Sequence, residues 1–226
     1  MSSAALPGIV FDLDGTLIES APAIMAVGNT LLAENGLPPL TLTETRSYIG
    51  NGAAKFVERA FSARGLHAAN EKLEAAYERF EFLYGEADPL DNLPMPGVDS
   101  ALRALAANGF PLGICTNKPG IPTLSVITAI GWADLLKVIV SGDSLSVKKP
   151  DPGPLFEAQR LLGTASILYV GDSDVDAETA RRAEVPLLLY TEGYRKSAIG
   201  ALPHRAAFSN FEDLPELVRS VLASPG

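Results

Sequence analysis

Asp12 and Asp14, separated by one leucine and followed by Gly15-Thr16, close the apolar run Ile9-Val10-Phe11. Aspartates two apart on an extended backbone would share a face. Gly15 lets the chain turn sharply, so one carboxylate can point into a site while the other lies over it. Far along the chain, Gly171-Asp172-Ser173-Asp174-Val175-Asp176 repeats the theme, and between the two stand Thr116-Asn117-Lys118 and Lys148-Lys149-Pro150. If these stretches converge, carboxylates from positions 12, 14, 172, 174 and 176 crowd around one or two ammonium groups. Like charges so close in a partly dry site cost several kcal/mol unless a cation intervenes or some of the groups stay protonated. Of the two, a divalent cation is the resolution expected here. Its available ligands are oxygens, with no histidine or cysteine among them, which suits magnesium (Mg2+) completed by water and a substrate phosphate. The Thr116 hydroxyl and the Asn117 backbone N–H suit phosphate oxygens at a strand-to-loop turn, and Lys149 can supply charge where phosphoryl charge develops. Pro150 and Pro152 restrict the backbone around Lys149, and Lys148 is expected to point elsewhere. A calcium loop also begins Asp-x-Asp-Gly, but its twelfth place must be glutamate and is Ala23 here.

Elements of two kinds must position these groups. Ile9 to Phe11 reads as a strand buried on both faces. From Ala21 to about Tyr84 the spacing is helical: Ile24, Val27, Gly28 and Leu31; then Ala53, Phe56, Val57, Ala60 and Phe61; then Leu73, Ala76, Tyr77, Phe80 and Tyr84. Gly36-Leu-Pro-Pro39, Gly50-Asn51-Gly52 and Gly65 break the stripes, and the proline-rich run from Asp88 to Gly97 ends them. Helix and strand then alternate: helix Val98 to Asn108, strand Pro111 to Cys115, helix Pro119 to Ile130, strand Val138 to Val140, helix Pro154 to Leu162, strand Ile167 to Val170, helix Val175 to Ala183, strand Pro186 to Leu189, a short strand near Ala206 to Phe208 and helix Leu214 to Leu222. Alternation with short loops predicts a Rossmann-like, doubly wound parallel α/β sheet carrying an inserted helical unit, with function beyond the carboxyl ends of the strands. Each polar motif falls at such an end.

Among 226 residues, 47% are hydrophobic and the formal charge is −9, so one sizeable core is affordable and a nucleic-acid or anionic-membrane partner is disfavoured. No run nears the ~20 apolar residues of a membrane span, and the lead Met1-Ser-Ser-Ala-Ala-Leu-Pro7 lacks the basic start of an export signal, so a cytoplasmic protein is expected, as monomer or homodimer. Cys115 is the single cysteine and lies in an apolar strand, where it reads as packing. His67 and His204 fall outside the polar set.

Asp-x-Asp-Gly-Thr (Asp12 to Thr16), Thr116, Lys-Pro-x-Pro (Lys149 to Pro152) and Gly-Asp-x-x-x-Asp (Gly171 to Asp176) occur in an order that resembles the haloacid-dehalogenase-like (HAD) superfamily of phosphohydrolases. Arg46-Ser-Tyr-Ile-Gly-Asn-Gly-Ala53 and Thr116-Asn-Lys-Pro119 are similar to the bacterial phosphoglycolate phosphatase branch. The resemblance implies a core of residues 1–17 plus 93–226 and a helical cap at 18–92, with hinges near Thr16 to Ser20 and Leu90 to Pro96. It implies Asp12 as nucleophile, Asp14 as general acid and base, and magnesium on Asp12, the Asp14 carbonyl and Asp172. Asp176 would orient Lys149 or a metal-bound water, with Ser173 beside it and Asp174 as a further outlying acid. A small anionic phosphate ester is the implied substrate, 2-phosphoglycolate first. Its carboxylate is assigned to Arg46, Asn51 and Gly52, because a guanidinium binds a carboxylate by two hydrogen bonds and a glycine-flanked turn before a helix aims N–H groups at an anion.

Other readings share parts of this pattern. A carbon-attacking dehalogenase lacks the second aspartate. A sugar phosphatase or phosphomutase with the same cap keeps both, so these stay open. A receiver-like phosphoacceptor carries paired acids at its first strand and its phosphorylated aspartate at the third, where only Asp143 stands here, and it has no helical insertion.

Overall fold

A computed structural model of the chain describes residues 6–67 and 70–223, so the first part of the N-terminal lead lies outside the described residues. In chain order the elements are β1 (Gly8–Phe11), β2 (Ile18–Glu19), α1 (Ala21–Glu34), α2 (Leu42–Tyr48), α3 (Ala53–Ser62), α4 (Asn70–Glu86), β3 (Leu93–Pro94), α5 (Val98–Ala107), β4 (Leu112–Cys115), α6 (Gly120–Ile130), β5 (Leu136–Val140), α7 (Gly153–Leu162), β6 (Ile167–Gly171), α8 (Asp174–Ala183), β7 (Leu187–Tyr190), β8 (Ala206–Phe208) and α9 (Leu214–Ala223).

The sheet has six strands in the order β5-β4-β1-β6-β7-β8, and all of their pairings are parallel. The chain leaves β1 for β4 and β5 on one side and returns through β6 on the other. This reversal opens a crevice at the carboxyl end of β1, the place where such sheets bind ligands. Side chains alternate across the sheet. Ile9, Phe11, Ile114, Val170 and Leu188 meet α5, α6 and α9 on one face. Val10, Cys115, Tyr169 and Leu189 meet α7 and α8 on the other. Burying both faces is why these strands read as continuous apolar runs.

Helices α1, α3 and α4 share a separate core built from Ile24, Leu31, Phe56, Phe61, Phe80 and Tyr84. The unit joins the sheet through an antiparallel ribbon, β2 against β3, that pairs Ile18 with Pro94 and Glu19 with Leu93. The ribbon lies where the two hinges are expected. Helix α2 is not among the expected helices. It is seven residues long with one fully buried side chain, Thr45, too short for an apolar stripe. What starts it is a capping box: the Thr41 hydroxyl accepts from the Glu44 N–H, and the Glu44 carboxylate accepts from the Thr41 N–H.

Candidate active site

Asp12 stands one residue past β1, and its N–H extends the ladder by donating to the Val170 carbonyl at 2.9 Å. Its carboxylate is nearly sealed from solvent and lies 3.0 Å from the Lys149 ammonium. Lys149 reaches it from the loop before α7, with its backbone bracketed by one side chain: the Asn117 amide donates to the Lys149 carbonyl and accepts from the Lys149 N–H, each at 3.0 Å. The same amide N–H2 donates to the Gly50 carbonyl at 3.0 Å. Asn117, expected to offer a backbone N–H to phosphate, thus uses its side chain to tie the Lys149 loop to the turn before α3. An amide has one acceptor and two donors, which these contacts fill.

The Lys149 ammonium also donates to the Tyr169 hydroxyl at 2.8 Å and to Asp176 at 2.7 Å. Burial works against charging this lysine, but Asp12 and Asp176 outweigh it and hold it charged. Asp176 is saturated. One oxygen accepts from Lys149 and the Tyr169 hydroxyl; the other accepts from the N–H groups of Asp172 and Ser173 and from the Ser173 hydroxyl. Ser173 is the N-cap of α8 and forms a reciprocal capping box with Asp176, so the start of the helix fixes both residues. Burial would raise the Asp176 carboxyl, yet Lys149 and these donors bring it below its ordinary range.

Asp172 is fully enclosed. It accepts from the Thr16 hydroxyl and from the Tyr194 N–H, both at 2.6 Å. Burial and then the charges of Asp176 and Asp12 push its carboxyl well above the usual range, and the same burial lifts Asp12 to about 7. Carboxylate oxygens of Asp12, Asp172 and Asp176 lie within 4.8 Å of one another. Glycines make room for this crowding: a Cβ on Gly193 would come within 2.2 Å of Asp172, and one on Gly171 within 2.6 Å of Asp176. Three carboxylates so close are costly without a cation, and the donor set is hard oxygen throughout, so a divalent ion fits. Asp176 has spent its lone pairs on protein donors. Asp12 and Asp172 are therefore the side chains of the cluster suited to an ion.

Asp14 lies on the other side of the crevice, 3.0 Å from the ammonium of Lys118, which also donates to the Tyr84 hydroxyl. Lys118 sits at the start of the loop before α6, turned in by the Thr116 hydroxyl, which accepts from the Lys118 N–H at 3.2 Å. Asp12, Asp14, Thr116, Asn117 and Lys118 from the sheet, with Ile24, Ile49, Gly50, Gly52, Ala53, Phe56, Phe80 and Tyr84 from the helical unit, line one cleft.

Several expected residues lie elsewhere. Arg46 does not line the cleft; it pairs with Glu19 at 2.5 Å on a wet surface, and Glu19 in turn accepts from the Tyr194 hydroxyl. Asn51 turns its side chain to Arg59, accepting at 2.8 Å. Gly52 does face the cleft, at positive φ as the N-cap of α3. Asp174 is outside the acid cluster and anchors the loop after β7, accepting from the N–H of Lys196 and of Ser197 and from the Ser197 hydroxyl. Cys115 is buried, with its thiol pushed up to about 12 by burial, so it is packing.

Lys118, Tyr84, Tyr169 and Tyr194 are site residues that sequence reasoning did not assign. Lys118 carried a signal, since it stands two residues after Thr116 at a strand end. Tyr84 and Tyr169 sit inside apolar stripes that register as core, while their hydroxyls bond the site lysines and Tyr84 also lines the cleft.

Comparison with known proteins agrees with this arrangement. The family model described as haloacid dehalogenase-like hydrolase matches residues 9–190. A phosphoglycolate phosphatase of Cereibacter sphaeroides (strain ATCC 17029 / ATH 2.4.9) is 43% identical over 219 residues, spanning 96% of this chain and 100% of that protein. One from Rhodospirillum rubrum is 39% identical over 91% of this chain and 88% of its own. A crystal structure described as a predicted phosphoglycolate phosphatase from Haemophilus somnus 129PT superposes with a TM-score of 0.87 at 30% identity, covering 94% of this chain and 97% of that one. With the matched region running from the strand that presents Asp12 to the end of β7, the chain belongs to the haloacid dehalogenase-like hydrolases, as a phosphoric monoester hydrolase.

Proposed function

We propose that the chain hydrolyses 2-phosphoglycolate to glycolate and phosphate, with magnesium, through an aspartyl phosphate formed on Asp12. The observation that carries this reading is the cleft itself: Asp12 and Asp14 face it from one strand end, beside Thr116 and within reach of Lys149.

In the first step an Asp12 carboxylate oxygen attacks phosphorus, forming the acyl phosphate as the bond to the glycolate oxygen breaks. That oxygen leaves with a proton from Asp14. In the second step Asp14, now a carboxylate, takes a proton from water as the water oxygen attacks the same phosphorus; phosphate leaves and Asp12 is restored. Thr116 holds a phosphoryl oxygen, and Lys149, fixed by Asp176 and Asn117, offsets the developing charge. Asp12, the Asp14 carbonyl and Asp172 would hold magnesium, which would supply charge to offset that of the phosphoryl group.

Residues 18–92 act as a cap over the core formed by 1–17 and 93–226, moving about the β2-β3 ribbon to keep bulk water from the acyl phosphate. Gly50, Gly52 and Ala53 line the cleft, and the Gly50 carbonyl is held by the Asn117 side chain. A cytoplasmic setting fits the reduced, buried Cys115, and no described helix is long and apolar enough to cross a membrane.

Phosphate release from a panel of esters tests the reading. With magnesium, kcat/KM should be highest for 2-phosphoglycolate, ahead of sugar phosphates and glycerol phosphates, and turnover should stop in chelator. A sugar phosphate that exceeds 2-phosphoglycolate contradicts it.

A further inference from the structure

The cleft has two unlike ends. Around Asp12 it is lined with groups that suit a phosphoryl group. Toward the helical unit its walls are apolar: Ile24, Ile49, Phe56 and Phe80, with the Phe80 ring packed at a tilt against Phe56 and Tyr84 at centroid distances of 5.4 and 5.7 Å. Into this end projects one cationic side chain among the cleft-lining residues, that of Lys118, with a side-chain exposure of 2%. Its ammonium lies 4.5 Å from the centre of the Tyr84 ring. An ammonium has three N–H donors; Asp14 and the Tyr84 hydroxyl take two, which leaves one for a ligand. A cation already stripped of water and held by two partners adds no desolvation cost of its own when an anion arrives.

We propose that Lys118, set by Tyr84, is the specificity residue for the carboxylate of the substrate, and that the apolar wall confines recognition to a short acid. The inference rests on the reading of the chain as a 2-phosphoglycolate phosphatase and gives that reading its selective contact. Lys118 fits the task where Arg46 does not, because Arg46 is committed to Glu19 outside the cleft. The wall rejects competitors by the same physics. Hydroxyls of a sugar phosphate would be buried against Ile24, Phe56 and Phe80 without partners, whereas a two-carbon acid presents one anionic group to one cation. Because Lys118 also touches Asp14, occupation of this end by a carboxylate meets the acid-base residue directly, so recognition and chemistry share one side chain.

The test compares 2-phosphoglycolate with 2-hydroxyethyl phosphate, which has the same length but a neutral end. The wild-type protein should favour the acid at least tenfold in kcat/KM. Lys118→Met should cut that ratio at least tenfold, with KM for the acid rising more than KM for the neutral ester, and Lys118→Arg should recover part of it. Equal losses on both esters would overturn the inference, since they would mean that Lys118 serves only to place Asp14. Wild-type protein that shows no preference for the acid would overturn the substrate reading as well; a preference kept in Lys118→Met would overturn the Lys118 inference alone. If Lys118→Met does not fold, as read by circular dichroism, Tyr84→Phe carries the test. Loosening the ammonium should lower the ratio at least threefold, and an unchanged ratio contradicts the assignment.

Discussion

Lys149 and Asp176 face each other at 2.7 Å with side chains only 2% and 0% exposed, an ion pair sealed beneath the carboxylate of Asp12. Removing one member of such a pair strands the other charge without water. Asp176→Ala should therefore destabilise the protein by about 3–5 kcal/mol, measured by denaturant titration. Asp176→Asn keeps the shape and some acceptors and should cost less. A loss below about 1 kcal/mol for the alanine variant would show that the Lys149 ammonium finds another partner.

The acid cluster makes stability depend on pH in an unusual direction. Asp12 moves from its ordinary 3.8 up to about 7, chiefly through burial, and Asp172 is raised well above the same starting value. Between 3.8 and about 7 the folded protein thus holds more protons on these groups than the unfolded chain does. Stability contributed by the protonated carboxyls is complete below 3.8 and is lost as pH rises through the folded values. In chelator, the melting temperature should fall between pH 5 and pH 8 after correction for the other groups, and the increment given by magnesium should grow over the same range, because the ion needs deprotonated ligands. A magnesium increment independent of pH contradicts this account of the cluster.

Arg46, expected from the sequence to meet the substrate carboxylate, is paired with Glu19 instead. Its pair with Glu19 leaves the side chains 46% and 24% exposed, the setting in which ion pairs contribute about 0.2–1 kcal/mol. Arg46→Ala should change kcat/KM for 2-phosphoglycolate less than threefold. A loss of tenfold or more, confined to this substrate, would show that Arg46 reaches the carboxylate in a closed form.

The sheet was legible because its strands are buried on both faces and because strands and helices alternate with short loops. Helix Pro119 to Ile130 and the strand ending at Cys115 are observed within a residue of their expected ends. The acids and lysine at the strand ends were legible for the same reason: topology, once recognised, brings those ends together. What the sequence hides is pairing across long separations. Glu19 takes Arg46 from 27 residues away, and Lys118 meets Asp14 from 104 residues away. Periodicity also hides double roles, since Tyr84 is a core residue by its ring and a site residue by its hydroxyl. Helix α2 carried its signal in Thr41 and Glu44 rather than in hydrophobic spacing.

Asp14 and Asp12 should fail in different ways. Asp14→Asn removes the proton donor and acceptor but leaves the nucleophile, so an ester with a good leaving group should still phosphorylate the protein, and the phosphate should persist. Mass spectrometry of the trapped protein should place the added phosphate on Asp12. A phosphate on another residue would reassign both roles.

The central claim is that Asp12 makes the bond to phosphorus, and turnover of Asp12→Asn on 2-phosphoglycolate with magnesium tests it most directly. An amide is nearly isosteric with a carboxylate but a very poor nucleophile, so a folded variant should retain less than about a thousandth of wild-type kcat. A folded variant that keeps a tenth or more would contradict the account.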